Sequence, residues 1–157
     1  MPLFRRRSGD RPPQPTAQFT VGTRDHRVVV GGAERGVTML DELRGYVASV
    51  TGAAAAPRPD GRDSVAVLSA KMDHADMVTD TVSAVVLALE ELAERGVLPE
   101  GAVPPPPRLA TPPAAEGHYA YIQETHRRAE ARMEWLEQAD AVLREHAVAI
   151  LPPAVSG

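Results

Sequence analysis

The chain contains no cysteine, and only 4% of its 157 residues are aromatic. Without cysteine it can form no disulfide and no thiolate zinc site, and it has no cysteine nucleophile. A cysteine-free sequence is typical of a reducing compartment, so we expect a cytoplasmic protein. Because aromatic rings are scarce, the core has to be built mainly from valine, leucine, alanine and methionine.

The sequence also lacks long apolar segments. No run of about 18 apolar residues is present, so we expect no membrane-spanning helix and no membrane partner. The opening residues MPLFRRRSGD include three arginines, but no apolar segment follows them. They therefore do not fit a secretory signal.

Sequence motifs of common catalytic and cofactor sites are missing as well. There is no G-x-S-x-G, no H-E-x-x-H, no P-loop and no dinucleotide-binding glycine motif ahead of a helix. We therefore expect no cofactor, and we assign no catalytic residue from motifs.

Charge is distributed unevenly over a chain whose net charge is −4. Residues 1–36 carry seven arginines against three acidic residues, whereas the remainder is acidic. Residues 1–17 combine Arg5, Arg6 and Arg7 with four prolines, which predicts a flexible arm. Nucleic-acid binding through this arm is a weaker alternative, because three arginines on an acidic protein are more typical of a solvated tail.

Apolar spacing predicts the remaining elements. Alternating residues indicate a small hairpin over 18–31, and steps of three and four residues indicate helices over 38–51, 64–96 and 118–149. A proline-rich connection covers 97–117. The predicted fold is mainly α: a bundle of two long antiparallel helices and one short helix, with a small N-terminal β-hairpin or extended arm. Residues 18–151 form a single α-helical domain in this prediction.

The stretch KMDHADMVTD, residues 71–80, concentrates potential ligands on the first long helix. On a helical wheel Asp73, Asp76 and Asp80 share one side, which predicts a solvated face rather than a metal site. Lys71 and His74 fall instead on the apolar side. Aligning the ends of the two long helices in an antiparallel pair places His74 opposite Asp140, with Lys71 one turn away.

Lys71, His74 and Asp140 allow two interpretations. They form either a polar cluster that fixes the register of the helices or an acid–base site with shifted pKa values. We favour the structural interpretation, because structural networks also perturb pKa values. It predicts that Lys71→Met is neutral or stabilising. The alternative is a small enzyme that uses the three residues.

Two further sets of residues bear on function. His126 and Glu130 lie one helical turn apart, a spacing compatible with metal binding, but we favour an ordinary surface contact. Trp135, Tyr121 and Val142 widen the apolar surface of the last helix, and we assign them to an interaction surface. We therefore expect a non-enzymatic accessory, adaptor or assembly subunit that forms a homo-oligomer. In one variant of this hypothesis it also binds a second protein.

Overall fold

The computed structural model describes residues 14–54, 60–108 and 117–154. These residues form three helices and a small sheet of four strands, so the fold is mainly α with a sheet portion. In chain order the elements are β1 (Ala17–Val21), β2 (His26–Val30), β3 (Gly36–Val37), α1 (Leu40–Ala54), α2 (Val65–Glu94), α3 (His118–Glu145) and β4 (Val148–Leu151).

Helix α2 begins and ends at residues that local chemistry favours. The Ser64 backbone is extended, and its hydroxyl accepts a hydrogen bond from the Val67 amide at 3.3 Å, which satisfies one of the free donors of the first turn. Gly96 follows the helix with φ +75°, a conformation that glycine adopts without steric cost. The helix of 30 residues therefore lies within the predicted range of 64–96.

Helix α3 ends earlier than predicted, and the prediction that it continues to residue 149 is wrong. It ends at Glu145, Ala147 takes a left-handed conformation with φ 59°, and β4 follows. A short apolar run fits a buried strand as well as a helix. Strand pairing favours the strand over the helix here, because β4 pairs antiparallel with β2 on one side and parallel with β3 on the other. Val148 and Ile150 of β4 are fully buried.

The N-terminal hairpin is one part of a larger sheet. Strands β1 and β2 pair antiparallel with Phe19 opposite Val28, and the sheet order is β1-β2-β4-β3. The predicted arm of residues 1–17 overlaps this sheet, since β1 begins at Ala17 and the Thr16 amide donates to the Val30 carbonyl at 2.8 Å. Residues 1–13 of that arm lie outside the described residues.

The two long helices run parallel, which corrects the predicted antiparallel pair. Lys71 contacts Gln123 and His74 contacts His126, so contacts advance in the same direction along both helices. The connection of residues 95–117 makes this possible. A segment of that many residues, at about 3.1 Å per residue for an extended polyproline II chain, could span up to about 70 Å, more than the ~45 Å length of α2.

One apolar core lies between the sheet and the helices. The inner face of the sheet contributes Val28 and Ile150, and the helices contribute Val85, Leu92 and Leu136, all inaccessible to solvent. Part of the proline-rich connection joins this core, because Leu98 is buried and Val103 packs against it. None of the helices within the described residues combines the length and the apolar character needed to cross a membrane.

Candidate functional site

Asp140 lies at the sheet, away from the partners predicted for it. Its Oδ1 accepts a hydrogen bond from the Val37 amide at 2.7 Å, and its Oδ2 accepts one from Arg144 Nε at 2.9 Å. Val37 belongs to the short edge strand β3, whose outward amide would otherwise lack a partner. Gly36 allows the close approach, since a Cβ added there would collide with the Asp140 carboxylate. Asp140 thus supplies the hydrogen-bond acceptor for the outward amide of the edge strand β3.

Lys71 lies in a triangle of polar side chains at the start of α2. Its ammonium donates to Asp63 Oδ2 and to Gln123 Oε1, each at 2.6 Å, and Gln123 Nε2 also donates to Asp63 Oδ2 at 2.6 Å. The hydrogen bond from Lys71, and after it the one from Gln123, holds the pKa of the Asp63 carboxyl below its usual value. The triangle ties the segment before α2 to α3.

His74 lies one turn further along α2 and is inaccessible to solvent. Its ring centroid is 5.9 Å from that of His126 and 6.2 Å from that of Tyr46. Neither of its ring nitrogens has a hydrogen-bond partner among the described residues. Burial, with the nearby His126 as a second cause, lowers the pKa of His74. The surroundings of the ring therefore disfavour its protonation.

His126 extends this buried cluster on α3. Its Nε2 lies 3.1 Å from Glu130 Oε1, and its Nδ1 is buried without a hydrogen-bond partner among the described residues. Burial lowers the pKa of His126, although Glu130 opposes that shift. The predicted contact between His126 and Glu130 exists, but the ring is mostly covered and also faces His74.

The acid–base cluster of Lys71, His74 and Asp140 does not form. Parallel packing places His126 beside His74, whereas Asp140 lies about 14 residues further along α3, or on the order of 20 Å. His74 is also closed off from solvent, so it cannot contact a substrate in this conformation. The described part of the chain contains no group of three or more histidine, aspartate or glutamate side chains able to hold a metal ion.

The three aspartates of residues 71–80 have separate roles. Asp76 is exposed, whereas Asp73 accepts a hydrogen bond from the Tyr46 hydroxyl at 3.2 Å. Asp80 accepts one from Arg24 at 3.0 Å, which fastens the hairpin turn to α2. The stretch is thus one helix whose sides meet solvent, α1, α3 and the hairpin.

The predicted interaction residues have different surroundings. Trp135 is 4% exposed, and its indole N–H donates to the Pro104 carbonyl at 2.6 Å. The proline-rich connection of the same chain therefore packs beside this ring. The sequence does not predict that this connection contributes to the core. Val142 is half-buried against the core, and Tyr121 is half-buried near the start of α3. Of the three, Trp135 borders an open cavity.

That cavity is part of a groove along α2. One half has a volume of about 510 Å³ and lies between Leu89, Val103 and Trp135. The other half, about 570 Å³, continues past Val82 toward Arg132. Both halves share Val86, Glu90, Pro105 and Pro106, so they join into one channel, which we call the α2 groove. Its outer wall is the proline-rich segment.

Sequence reasoning missed several residues of these contacts. Asp63 stands at a position from which it could cap α2, Tyr46 fits the apolar spacing of the short helix, and Gln123 carries no pattern that sets it apart. The spacing of Val82, Val86 and Leu89 places them on the apolar side of a helix, but their position along a groove depends on where the proline-rich segment lies. Comparison with models of known protein families, with curated proteins and with solved structures finds no match.

Proposed function

We propose that this chain is a non-enzymatic interaction protein, an accessory, adaptor or assembly subunit, which acts through its helix faces and associates with copies of itself. The observation that carries the proposal is the α2 groove. An open apolar channel beside a buried tryptophan is typical of a surface that binds another protein. The proposal keeps the cytoplasmic location expected from a cysteine-free chain.

The polar clusters support this proposal over an enzymatic one. Lys71 has its ammonium bound by Asp63 and Gln123, and Asp140 is occupied by Val37 and Arg144. Side chains that already satisfy one another hold elements in place and leave few donors or acceptors for a substrate. These groups therefore fit a role in holding the helices at a fixed register.

Light scattering after size-exclusion chromatography tests self-association. The chain has a mass of 16.8 kDa. We expect a measured mass at least twice that value, falling toward the chain mass on dilution, because association follows mass action. A mass of a single chain at every concentration up to the millimolar range would refute self-association.

A further inference from the structure

The α2 groove carries opposite charges at its two ends. Glu94 and Glu100 are exposed at the end beside Trp135, whereas Arg108 and Arg132 lie at the other end. Among the described residues none of these four forms an ion pair, in contrast to neighbouring Glu91, which pairs with Arg95 at 3.0 Å. The groove thus has an acidic end and a basic end, and these four side chains make no ion pair within the part of the chain that the structure describes.

The floor between these ends combines apolar side chains with Glu90, which lines both halves of the groove. Val82, Val86 and Leu89 follow one another at spacings of four and three residues along the same side of α2. A partner that complements such a strip would have apolar character at its centre and the reverse charges at its ends.

A second copy of the chain has that pattern. In a twofold-symmetric pair the same patch on both copies meets itself, so its charges must be complementary on rotation by 180°. If the axis passes near Val86 with the two α2 helices antiparallel, Glu94 of each copy lies beside the basic end of the other. Pro105 and Pro106 line the groove and would lie within the same contact.

We propose that the α2 groove is a symmetric homodimer interface centred near Val86, with Glu94 of one copy facing Arg132 of the other. This proposal rests on the proposed function and specifies the surface through which self-association occurs. The charged ends also set the relative orientation of the two copies. With the α2 helices antiparallel, opposite charges face one another, whereas a parallel orientation would bring like charges together.

Charge reversal tests the pairing by sedimentation velocity over a range of concentrations. We expect Glu94→Arg alone and Arg132→Glu alone each to raise the dimer dissociation constant by tenfold or more. The double variant Glu94→Arg with Arg132→Glu should return to within about threefold of the wild type, since both contacts are reversed together. Circular dichroism and thermal unfolding verify that each variant is folded.

Glu42→Arg is the matched control. Glu42 is exposed on α1 beside a different cavity, and its reversal changes the net charge by the same amount as Glu94→Arg. It should leave the dissociation constant unchanged. Single variants that dimerise like the wild type, or a double variant no tighter than the singles, would overturn this interface while leaving self-association intact. A wild-type protein that is monomeric throughout would overturn the proposed function as well.

Discussion

The imidazole rings of His74 and His126 make an edge contact, with a centroid distance of 5.9 Å and an angle of 61° between the ring planes. This contact lies in the N-terminal halves of both long helices and fixes them side by side in a parallel arrangement. It also places two titratable rings next to each other, one inaccessible to solvent and the other mostly covered, so we expect the packing of α2 on α3 to depend on pH.

Acidification should destabilise the protein through these histidines. Because burial lowers the pKa of His74 and of His126 in the folded state, the unfolded chain binds protons more readily. Their contribution is fully present above the ordinary histidine value of about 6.5 and is lost as pH falls below it toward the folded pKa. Thermal melts at pH 7.5 and pH 5 should show a lower melting temperature at the acidic pH.

His74→Leu should weaken that pH dependence. The leucine side chain fills a similar space and removes two ring nitrogens that lack hydrogen-bond partners among the described residues. At pH 7.5 we expect stability equal to or above that of the wild type. His118→Gln, at the exposed first residue of α3, is the control and should melt with the wild-type pH profile. An unchanged pH profile in His74→Leu would contradict this explanation.

Lys71→Met should destabilise the fold, contrary to what the sequence alone predicts. The neutral or stabilising outcome assumed that only the desolvation cost of a buried ammonium would be removed and that Asp140 would keep His74 or water as a partner. In the structure Lys71 is the cation bound to the half-buried Asp63. Removing it leaves that carboxylate with Gln123 as its remaining hydrogen-bond donor from this triangle, at a cost of roughly 1–3 kcal/mol in the free energy of unfolding.

A double-mutant cycle separates the charge from the packing of the lysine stem. Asp63→Asn combined with Lys71→Met removes both charges, so the double variant should be more stable than the sum of the two single effects predicts. Chemical denaturation of all four proteins measures this coupling. Strictly additive effects would mean that the contact between Lys71 and Asp63 contributes nothing to stability.

Asp140→Ala should destabilise the junction of α3 and the sheet. The substitution leaves the buried Val37 amide without its acceptor, which costs about 1–3 kcal/mol. Asp140→Asn keeps a side-chain oxygen and should lose less stability. Urea denaturation of both variants gives the comparison. Equal losses in the two variants would show that hydrogen bonding to Val37 is not the reason Asp140 matters.

Trp135→Phe should loosen the proline-rich segment. Phenylalanine keeps most of the apolar contact but loses the hydrogen bond from the indole to the Pro104 carbonyl, worth about 1 kcal/mol. Amide hydrogen exchange should therefore become faster at residues 101–103, while the amides of β2 remain protected. Equal exchange rates at residues 101–103 in the wild type and in Trp135→Phe would contradict a role for Trp135 in holding this segment.

The limits of sequence reasoning are physical and differ between elements. The start and end of α2 were predictable because Ser64 and Gly96 act locally through capping and backbone conformation. Strand β4 was not, because a four-residue apolar run acquires its structure from the strands that flank it. The helix direction was not predictable either, since the connection is long enough for both arrangements.

The direction of α3 decides which residues lie next to the candidate site residues. His74 and Lys71 were correctly singled out as polar residues on an apolar face, but reversing α3 replaces Asp140 by His126 and Gln123 as their neighbours. Trp135 was identified as part of a wide apolar surface, and its cover turned out to be the connection around Pro104. Long-range placement of irregular segments has no periodic signal in a sequence.

The distance between two labels placed near the centre of the α2 groove tests the central claim most directly. The absence of cysteine means that Ser83→Cys introduces a unique labelling site, three residues from Val86 on an exposed position of α2. Ser69→Cys is the control on the same helix. At ~1.5 Å per residue on each side of the axis, the account predicts Cα atoms within about 20 Å across the dimer at Ser83 and on the order of 50 Å apart at Ser69. Pulsed electron paramagnetic resonance of the spin-labelled proteins measures both distances. A long or absent distance at Ser83 in a sample that light scattering shows to be dimeric would contradict the proposed interface.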